Sequence, residues 1–300
     1  MTDLVLNSTG RWLQLLGDLQ LQSLKTRLQA PPLSPDWSAI HNAAGSESCH
    51  HVTGEIFPGF ICGGSIISKK YVLSAAHCFA DAKHSHFNIR IRVGEYDLSQ
   101  DPDCDSEGFC APSAKEYLAS EVTIHPDYHL VGEEGAGDYS ALADIAVVRI
   151  DGEFIFSDFV LPICLEYGDL LEQDYAGEIA QTIGWGGRGL DGDETQFPDK
   201  LQKVSLAILD VNICSQIQTQ IPESHIICAG THTKFSYAGD SGSPMFIAES
   251  VDGDIPRQYQ IGVFVAYFGL NDTSWNGGKP PSGYTRVSYF LEWILDQMQD

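Results

Sequence analysis

The apolar and polar positions along this chain alternate as strands do. Ile89-Arg90-Ile91-Arg92-Val93 has a period of two, as does Val204-Ser205-Leu206-Ala207-Ile208, and Ile145 to Ile150 is a short, mostly apolar run. Each of these segments predicts a strand. The 29 glycines and 14 prolines recur between such runs, which is the spacing of an all-β chain. The second half predicts one helix, starting near Ser288, where Phe290, Leu291, Ile294 and Met298 recur at helical spacing and give one apolar face. Near the start, Leu13, Leu16, Leu24 and Leu28 could share a helical face before Pro31-Pro32. Asp3, Arg11, Asp18 and Lys25 interrupt any signal-peptide core there.

Composition narrows the setting. A chain of 300 residues, 43% hydrophobic and 19% charged, can bury a sizeable core. Its 41 acidic against 17 basic side chains give a formal charge of -24. Such a charge argues against nucleic acid and anionic membrane surfaces, and favours basic partners or simply solubility. No apolar run approaches the roughly 20 residues needed to cross a bilayer. The eight cysteines fit an oxidising, extracellular compartment.

The chemistry lies in three segments. Ser241 sits in Gly239-Asp240-Ser241-Gly242-Ser243-Pro244, His77 in Ala75-Ala76-His77-Cys78, and Asp144 opens Asp144-Ile145-Ala146-Val147-Val148. A serine hydroxyl is a weak nucleophile at neutral pH and needs an imidazole to take its proton. The imidazole in turn needs a buried carboxylate to fix its tautomer and offset its charge. Gly239 allows a tight turn that aims the N-H groups of Gly239 and Ser241 at one point, an oxyanion hole worth about 3 kcal/mol per donor. Alone, each segment reads as a surface turn, a packed histidine or a strand start. Together, in the order His, Asp, Ser, they describe a catalytic triad. An α/β-hydrolase would instead place its serine first, in Gly-x-Ser-x-Gly, whereas position 243 is serine.

From about Phe60 to Trp293 the chain resembles a chymotrypsin-like (trypsin-family) serine protease. The motifs are Cys62-Gly63-Gly64-Ser65-Ile66-Ile67, Tyr71 to Cys78, Ile124-His125-Pro126-Asp127-Tyr128, Gly184-Trp185-Gly186, Ile227-Cys228-Ala229-Gly230 and Tyr284-Thr285-Arg286-Val287. Gly94-Glu95-Tyr96-Asp97, followed by Cys104, Cys110 and Ala111-Pro112, is similar to the catalytic domains of arthropod clip-domain proteases, secreted enzymes of haemolymph cascades in immunity and development. The resemblance implies two six-stranded-type antiparallel β-barrels with a C-terminal helix, His77 and Asp144 on the first barrel and Ser241 on the second. Residues 1–48 are then an N-terminal segment of unclear status and residues 49–300 the protease domain. A protein or peptide substrate, an upstream activating protease and serpin-type inhibitors are the partners it implies.

The resemblance also pairs the cysteines. Cys62 with Cys78 would close the loop that presents His77, worth very roughly 3 kcal/mol in the chain-entropy model. Cys104 with Cys110 and Cys214 with Cys228 are the next pairs. In clip-type relatives the cysteine of Pro162-Ile163-Cys164 ties the domain to its upstream segment, which makes Cys49 its one candidate partner; a free Cys49 is the competing reading. The bridge that normally braces the nucleophile loop is missing, with Tyr237 where its first cysteine would stand.

Metal readings are weaker. Asp101-x-Asp103-x-Asp105 opens like an EF-hand loop but has Ser106 and Pro112 where glycine and glutamate are required. Glu95 matches a calcium-loop glutamate of some relatives, so calcium is the one cofactor the resemblance admits, against a solvated acidic loop. His84-Ser85-His86 and His50-His51 lack further zinc ligands. Asn7-Ser8-Thr9 and Asn271-Asp272-Thr273 are glycosylation sequons.

The chain departs from the family in two places. An aspartate six residues before the nucleophile selects Arg or Lys in the family, and here that residue is Phe235. A phenyl ring offers no counter-charge, so a basic side chain would lose its ion pair. Phe268, in an altered far wall, and Ser282, in place of a pocket glycine, complete a specificity pocket expected to be non-tryptic, taking small or apolar side chains or nearly closed. The second departure is the start of the domain. Cleavage in the family frees an Ile or Val amine that pairs with the aspartate before the nucleophile, here Asp240, and no Arg-Ile-Val-Gly-Gly precedes Cys62. The expectation is a first barrel incomplete at its N-terminus, through a truncated or mis-spliced chain, an unconventional start or a proteolytically silent homologue. Asp240 would then lack its partner and the oxyanion hole would be poorly formed. Two functions follow: a secreted serine endopeptidase, or a non-catalytic homologue that binds or regulates within a cascade.

Overall fold

A computed structural model of the chain describes residues 42–45, 62–80, 89–131, 140–187, 197–213, 220–231, 234–250, 256–267 and 281–298. All belong to one unit, Ala39–Asp300, and a second unit spans Met1–Ser38. The N-terminal leucine pattern, His50, His51, His84, His86 and both sequons lie outside the described residues.

Residues 62–66 show how the first sheet closes. Gly64 divides them into β2 (Cys62–Gly63) and β3 (Ser65–Ile66). A side chain at Gly64 would come 2.8 Å from Val72 Cγ1, so this bend requires glycine. β2 pairs with β1 (Asn42–Gly45), while β3 pairs with β4 (Tyr71–Ser74). Between them run β5 (Arg90–Val93), β6 (Lys115–Ile124) and β9 (Ala146–Ile150), in the order β2-β1-β5-β6-β9-β4-β3. Because β2 and β3 are one stretch of chain, the two ends of the sheet meet and a barrel results. A small hairpin, β7 (His129–Val131) with β8 (Ser140–Leu142), precedes β9.

β1 precedes residue 49, where the sequence reading began the domain, and pairs with β2 and β5. Asn42-Ala43-Ala44-Gly45 has no apolar alternation to announce a strand; it joins through backbone pairing with β2 on one side and β5 on the other.

The second sheet runs β12 (Gln202–Ala207), β11 (Ile179–Gly184), β14 (Pro244–Glu249), β15 (Arg257–Tyr267), β16 (Ser282–Arg286), β13 (Ile226–Ala229). An antiparallel bridge from Ile208 to Ala229, with Gly230 N-H donating to Ala207 O at 3.0 Å, joins its two ends into the second barrel. A short β10 (Cys164–Leu165) lies parallel to β15.

Period-two burial then builds the core. In β5 Ile91 and Val93 are buried while Arg90 is exposed. In β9 both faces are covered, which explains its continuous apolar run. Val148 and Ile150 fill the first barrel with Ile66, Val72 and Ile91, and Val147 turns to a second cluster with Leu73, Val263 and Phe246. Helix α1 is the short turn His77–Ala80; α2 (Val287–Gln297) buries Val287, Phe290, Leu291 and Ile294 in that second cluster, as the helical spacing predicts.

Candidate active site

β4 delivers the chain to His77 through Ser74, Ala75 and Ala76. The two alanines are wholly buried, and the Cys62–Cys78 disulfide anchors the next residue to β2. Asp144 sits in a tight turn between β8 and β9: Ala143 has φ of 48°, a left-handed value, and Ile145 N-H donates to Ala143 O at 2.8 Å. The turn aims the buried Asp144 side chain at His77. One carboxylate oxygen accepts the His77 main-chain N-H at 2.9 Å and the other lies 2.7 Å from His77 Nδ1. An ionised carboxylate only accepts, so Nδ1 carries the proton and Nε2 is left as the basic nitrogen. Burial of the imidazole works against its charged form, but the hydrogen bond and negative charge of Asp144 outweigh it and hold His77 above the ordinary histidine value. His77 also lies beside Cys62 and Cys78, whose sulfurs are committed to their disulfide and cannot serve as thiolate ligands.

The Ser241 loop is pinned between the barrels. Gly239 and Gly242 have φ of 95° and 81°, and a side chain at Gly242 would run into Gly63 O and Ser74 Oγ. Gly63 N-H donates to Ser241 O at 2.6 Å, and Ser74 Oγ to Gly63 O at 2.8 Å. From the other side, Gly242 N-H donates to Phe264 O at 2.8 Å and Phe264 N-H to Ser243 O at 2.9 Å. Ser241 is thereby docked on β2, which Ser74 at the end of β4 holds in turn. Among the described residues, neither the Gly239 nor the Ser241 N-H has an acceptor, and Ser241 Oγ makes no hydrogen bond.

Asp240 turns beneath this loop. Its carboxylate accepts the Gly186 N-H at 2.8 Å and the Tyr237 N-H at 3.0 Å. Gly184 and Gly186 leave the space it occupies, since a side chain at either would collide with the carboxylate. Burial pushes Asp240 up to about 6, with the two N-H bonds opposing. It has no cationic partner among the described residues, but two backbone donors hold it. Sequence reading missed both donors, because a main-chain N-H leaves no mark on residue identity.

Phe235 is half-buried and meets Tyr237 edge to face, with ring centroids 5.9 Å apart. Ser282, expected in the specificity pocket, is fully buried. Its hydroxyl accepts the Ser236 N-H at 2.9 Å and donates to Ser236 O at 3.2 Å. Those bonds spend the hydroxyl on the backbone beneath Phe235. Phe268 lies outside the described residues.

The disulfides Cys62–Cys78 and Cys104–Cys110 are formed, and Cys228 is disulfide-bonded, its expected partner Cys214 lying outside the described residues. Cys164 carries a free thiol, so the expected bridge to Cys49 is not present; Cys49 itself lies outside the described residues. A disulfide needs its two Cα atoms close together, usually about 4.4–6.8 Å apart, a condition that sequence alone does not reveal.

The Glu95 site does not fit calcium. Arg92 Nη2 lies 2.6 Å from Glu95 Oε2 and Arg92 Nε donates to the same oxygen at 2.7 Å, while Oε1 accepts the Tyr96 N-H at 3.0 Å. The guanidinium is thus the cation that Glu95 already holds.

Comparison with known proteins gives the same picture. Residues 40–294 match the family model for Trypsin. The chain is similar to phenoloxidase-activating factor 3 of Holotrichia diomphalia, 33% identical over 248 residues, 80% of this chain and 64% of that protein. It is 30% identical to CLIP domain-containing serine protease B4 of Anopheles gambiae over 80% of this chain and 62% of that one. To melanization protease 1 of Drosophila melanogaster it is 32% identical over 80% of this chain and 59% of that one. The chain thus spans about three fifths of the length of these relatives. Two barrels closed on glycine-bent strands, a His77–Asp144 pair, a serine loop docked beside it and a family match over most of the sequence lead to one assignment: the chain belongs to the trypsin family.

Proposed function

We propose that the chain is a secreted serine endopeptidase that hydrolyses peptide bonds through an acyl-enzyme on Ser241. His77 Nε2 takes the Ser241 proton as Oγ attacks the scissile carbonyl, then returns it to the leaving amine; water repeats the cycle in reverse to release the acid. Asp144 holds the imidazole in its Nδ1-H tautomer and offsets the imidazolium charge. The N-H groups of Gly239 and Ser241 receive the oxyanion. The observation that carries the reading is the His77–Asp144 pair, 2.7 Å apart with its carboxylate buried, in the barrel whose β2 holds the Ser241 carbonyl.

Phe235 supports a non-tryptic preference for small or apolar side chains, because its ring supplies no counter-charge. The names of the relatives, phenoloxidase activation and melanization among them, support a place in an arthropod immune cascade. An activating protease upstream and serpin-type inhibitors are then its expected partners, and the disulfides suit an extracellular setting. A second reading, a non-catalytic homologue acting by binding, is favoured by Asp240, whose carboxylate is taken up by the N-H groups of Gly186 and Tyr237.

Labelling with a fluorophosphonate separates the two. Reaction that Ser241→Ala abolishes supports the endopeptidase; no reaction in the correctly oxidised, complete protein supports the binding homologue. Arginyl peptides cleaved best by a wide margin would overturn the non-tryptic preference.

A further inference from the structure

Asp144 is held at both ends. Its two carboxylate oxygens are engaged by His77, one by the main-chain N-H and one by Nδ1. Its own carbonyl points the other way and accepts a 2.9 Å hydrogen bond from the hydroxyl of Thr285, 141 residues later in the chain. Thr285 is buried and sits on β16, an inner strand of the second barrel, paired with Ile226 of β13 on one side and Val263 of β15 on the other. The donor therefore stands on a platform rigid on both flanks.

The acceptor does not. Asp144 follows Ala143, a residue with a side chain held at φ of 48°, and the turn around Asp144 is closed by the short Ile145 N-H to Ala143 O bond. A left-handed non-glycine residue persists only when its surroundings over-determine it. Thr285 supplies that constraint from the opposite barrel. Without its hydroxyl the Asp144 carbonyl would be a buried acceptor with no donor, and the turn would be free to relax toward an ordinary conformation. Such a relaxation would swing the Asp144 side chain, which no described donor other than His77 holds.

We infer that Thr285 is a positioning residue for the His77–Asp144 pair, a clamp across the two barrels that fixes the carboxylate by gripping its backbone. Thr285 touches neither substrate nor the reacting atoms; it acts through Asp144. The inference takes its catalytic consequence from the proposed peptidase activity, but the placement of the pair can be read without turnover.

The test is Thr285→Val beside Thr285→Ser, with hydrolysis, thermal melting and an NMR titration of the His77 ring. The expected result for Thr285→Val is a fall in kcat of roughly 10- to 100-fold with KM little changed, the cost of a small misplacement of a catalytic group. The His77 pKa should fall toward that of a free histidine, and Thr285→Ser should restore both. A Thr285→Val protein that melts earlier but keeps the wild-type His77 titration would overturn the inference and leave Thr285 a packing residue. If wild type hydrolyses nothing, the proposed peptidase activity fails, and the His77 titration still decides the clamp. Should Thr285→Val not fold, Thr285→Ala takes its place. If neither folds while Thr285→Ser does, the hydroxyl serves folding alone and the inference is likewise overturned.

Discussion

The main-chain N-H of Gly63 donates to the carbonyl of Ser241 at 2.6 Å, so the residue beside the Cys62 bridgehead holds the nucleophile's own backbone. Through this bond the first barrel, which carries His77, fixes the height of a loop that belongs to the second. A side chain at Gly63 would lie 3.3 Å from Ser243 Cα and press on Ser243 Oγ. Gly63→Ala should therefore lift the loop, costing about 1–3 kcal/mol as overpacking does. Thermal melting should show the loss, and fluorophosphonate labelling of Ser241 should slow more than the stability change alone explains. Unchanged labelling would mean that the bond does not set the nucleophile's position.

The His77–Asp144 geometry predicts a pH profile. A general base works when neutral, so kcat/KM rises with pH through the His77 pKa, which Asp144 raises despite burial. The acid limb should lie above 6.5, the ordinary value for histidine. Asp144→Asn should reduce kcat by about 10⁴-fold, the magnitude of the triad template, and move the limb downward. A limb at or below the ordinary value in wild type would show that the pair does not act as drawn.

Phe235 rests on a backbone locked by the Ser282 hydroxyl, which argues for a fixed ring rather than a yielding one. Phe235→Ala should open the space its ring fills and raise kcat/KM for peptides with Leu or Phe before the scissile bond, relative to Ala. One or two extra methylenes in an apolar pocket are worth about 10- to 200-fold. Profiling a peptide library with each enzyme measures the change. An identical profile would place the pocket floor elsewhere.

What the sequence made legible follows from where information is carried. β5 shows its buried face because Ile91 and Val93 alternate with arginines. The terminal helix shows its stripe for the same reason. The His77, Asp144 and Ser241 motifs are legible because the chemistry proposed for them needs particular side chains. β1 was hidden, since Asn42-Ala43-Ala44-Gly45 carries no strand pattern in its sequence and is paired through its backbone. The holding of Asp240 by Gly186 and Tyr237 was hidden for the same reason. The bonds from Ser282 to Ser236 were hidden because a serine fits a pocket wall or a buried brace equally well. Thr285 reads as part of a motif before the helix, and its link to Asp144 spans too much chain for any local pattern to reveal.

Arg92 and Glu95 predict indifference to calcium. Glu95 is buried, and burial pushes its carboxyl up even though Arg92 opposes the shift. Arg92→Ala would strand that carboxyl, a loss of about 3–5 kcal/mol for breaking a buried pair. Added calcium or chelator should leave the wild-type melting temperature unchanged. In Arg92→Ala, calcium should recover part of the loss, because the vacated Glu95 can then accept an external cation. A calcium-dependent shift in wild type would contradict the assignment of the guanidinium as the resident cation.

Glu166 predicts how stability responds to pH. It follows β10 and is almost wholly buried. Tyr175 OH donates to one of its oxygens at 2.9 Å. Burial pushes it from 4.5 to about 7, against the opposing pull of Tyr175 and Arg286. Asp240 shifts the same way, from 3.8 to about 6. In both, the folded state binds a proton that the unfolded chain has already released, so stability falls as pH rises between the unfolded and folded values. The loss begins near pH 4 and is complete near pH 7. Glu166 alone accounts for about 3 kcal/mol of it at 1.36 kcal/mol per unit. Glu166→Gln keeps the shape, accepts from Tyr175 and cannot ionise. Urea denaturation of this variant from pH 4 to 8 should therefore show a shallower decline than wild type, with the larger difference at the neutral end. Parallel curves would mean that Glu166 is already compensated in the fold, and that the neutral-pH loss belongs to Asp240 alone.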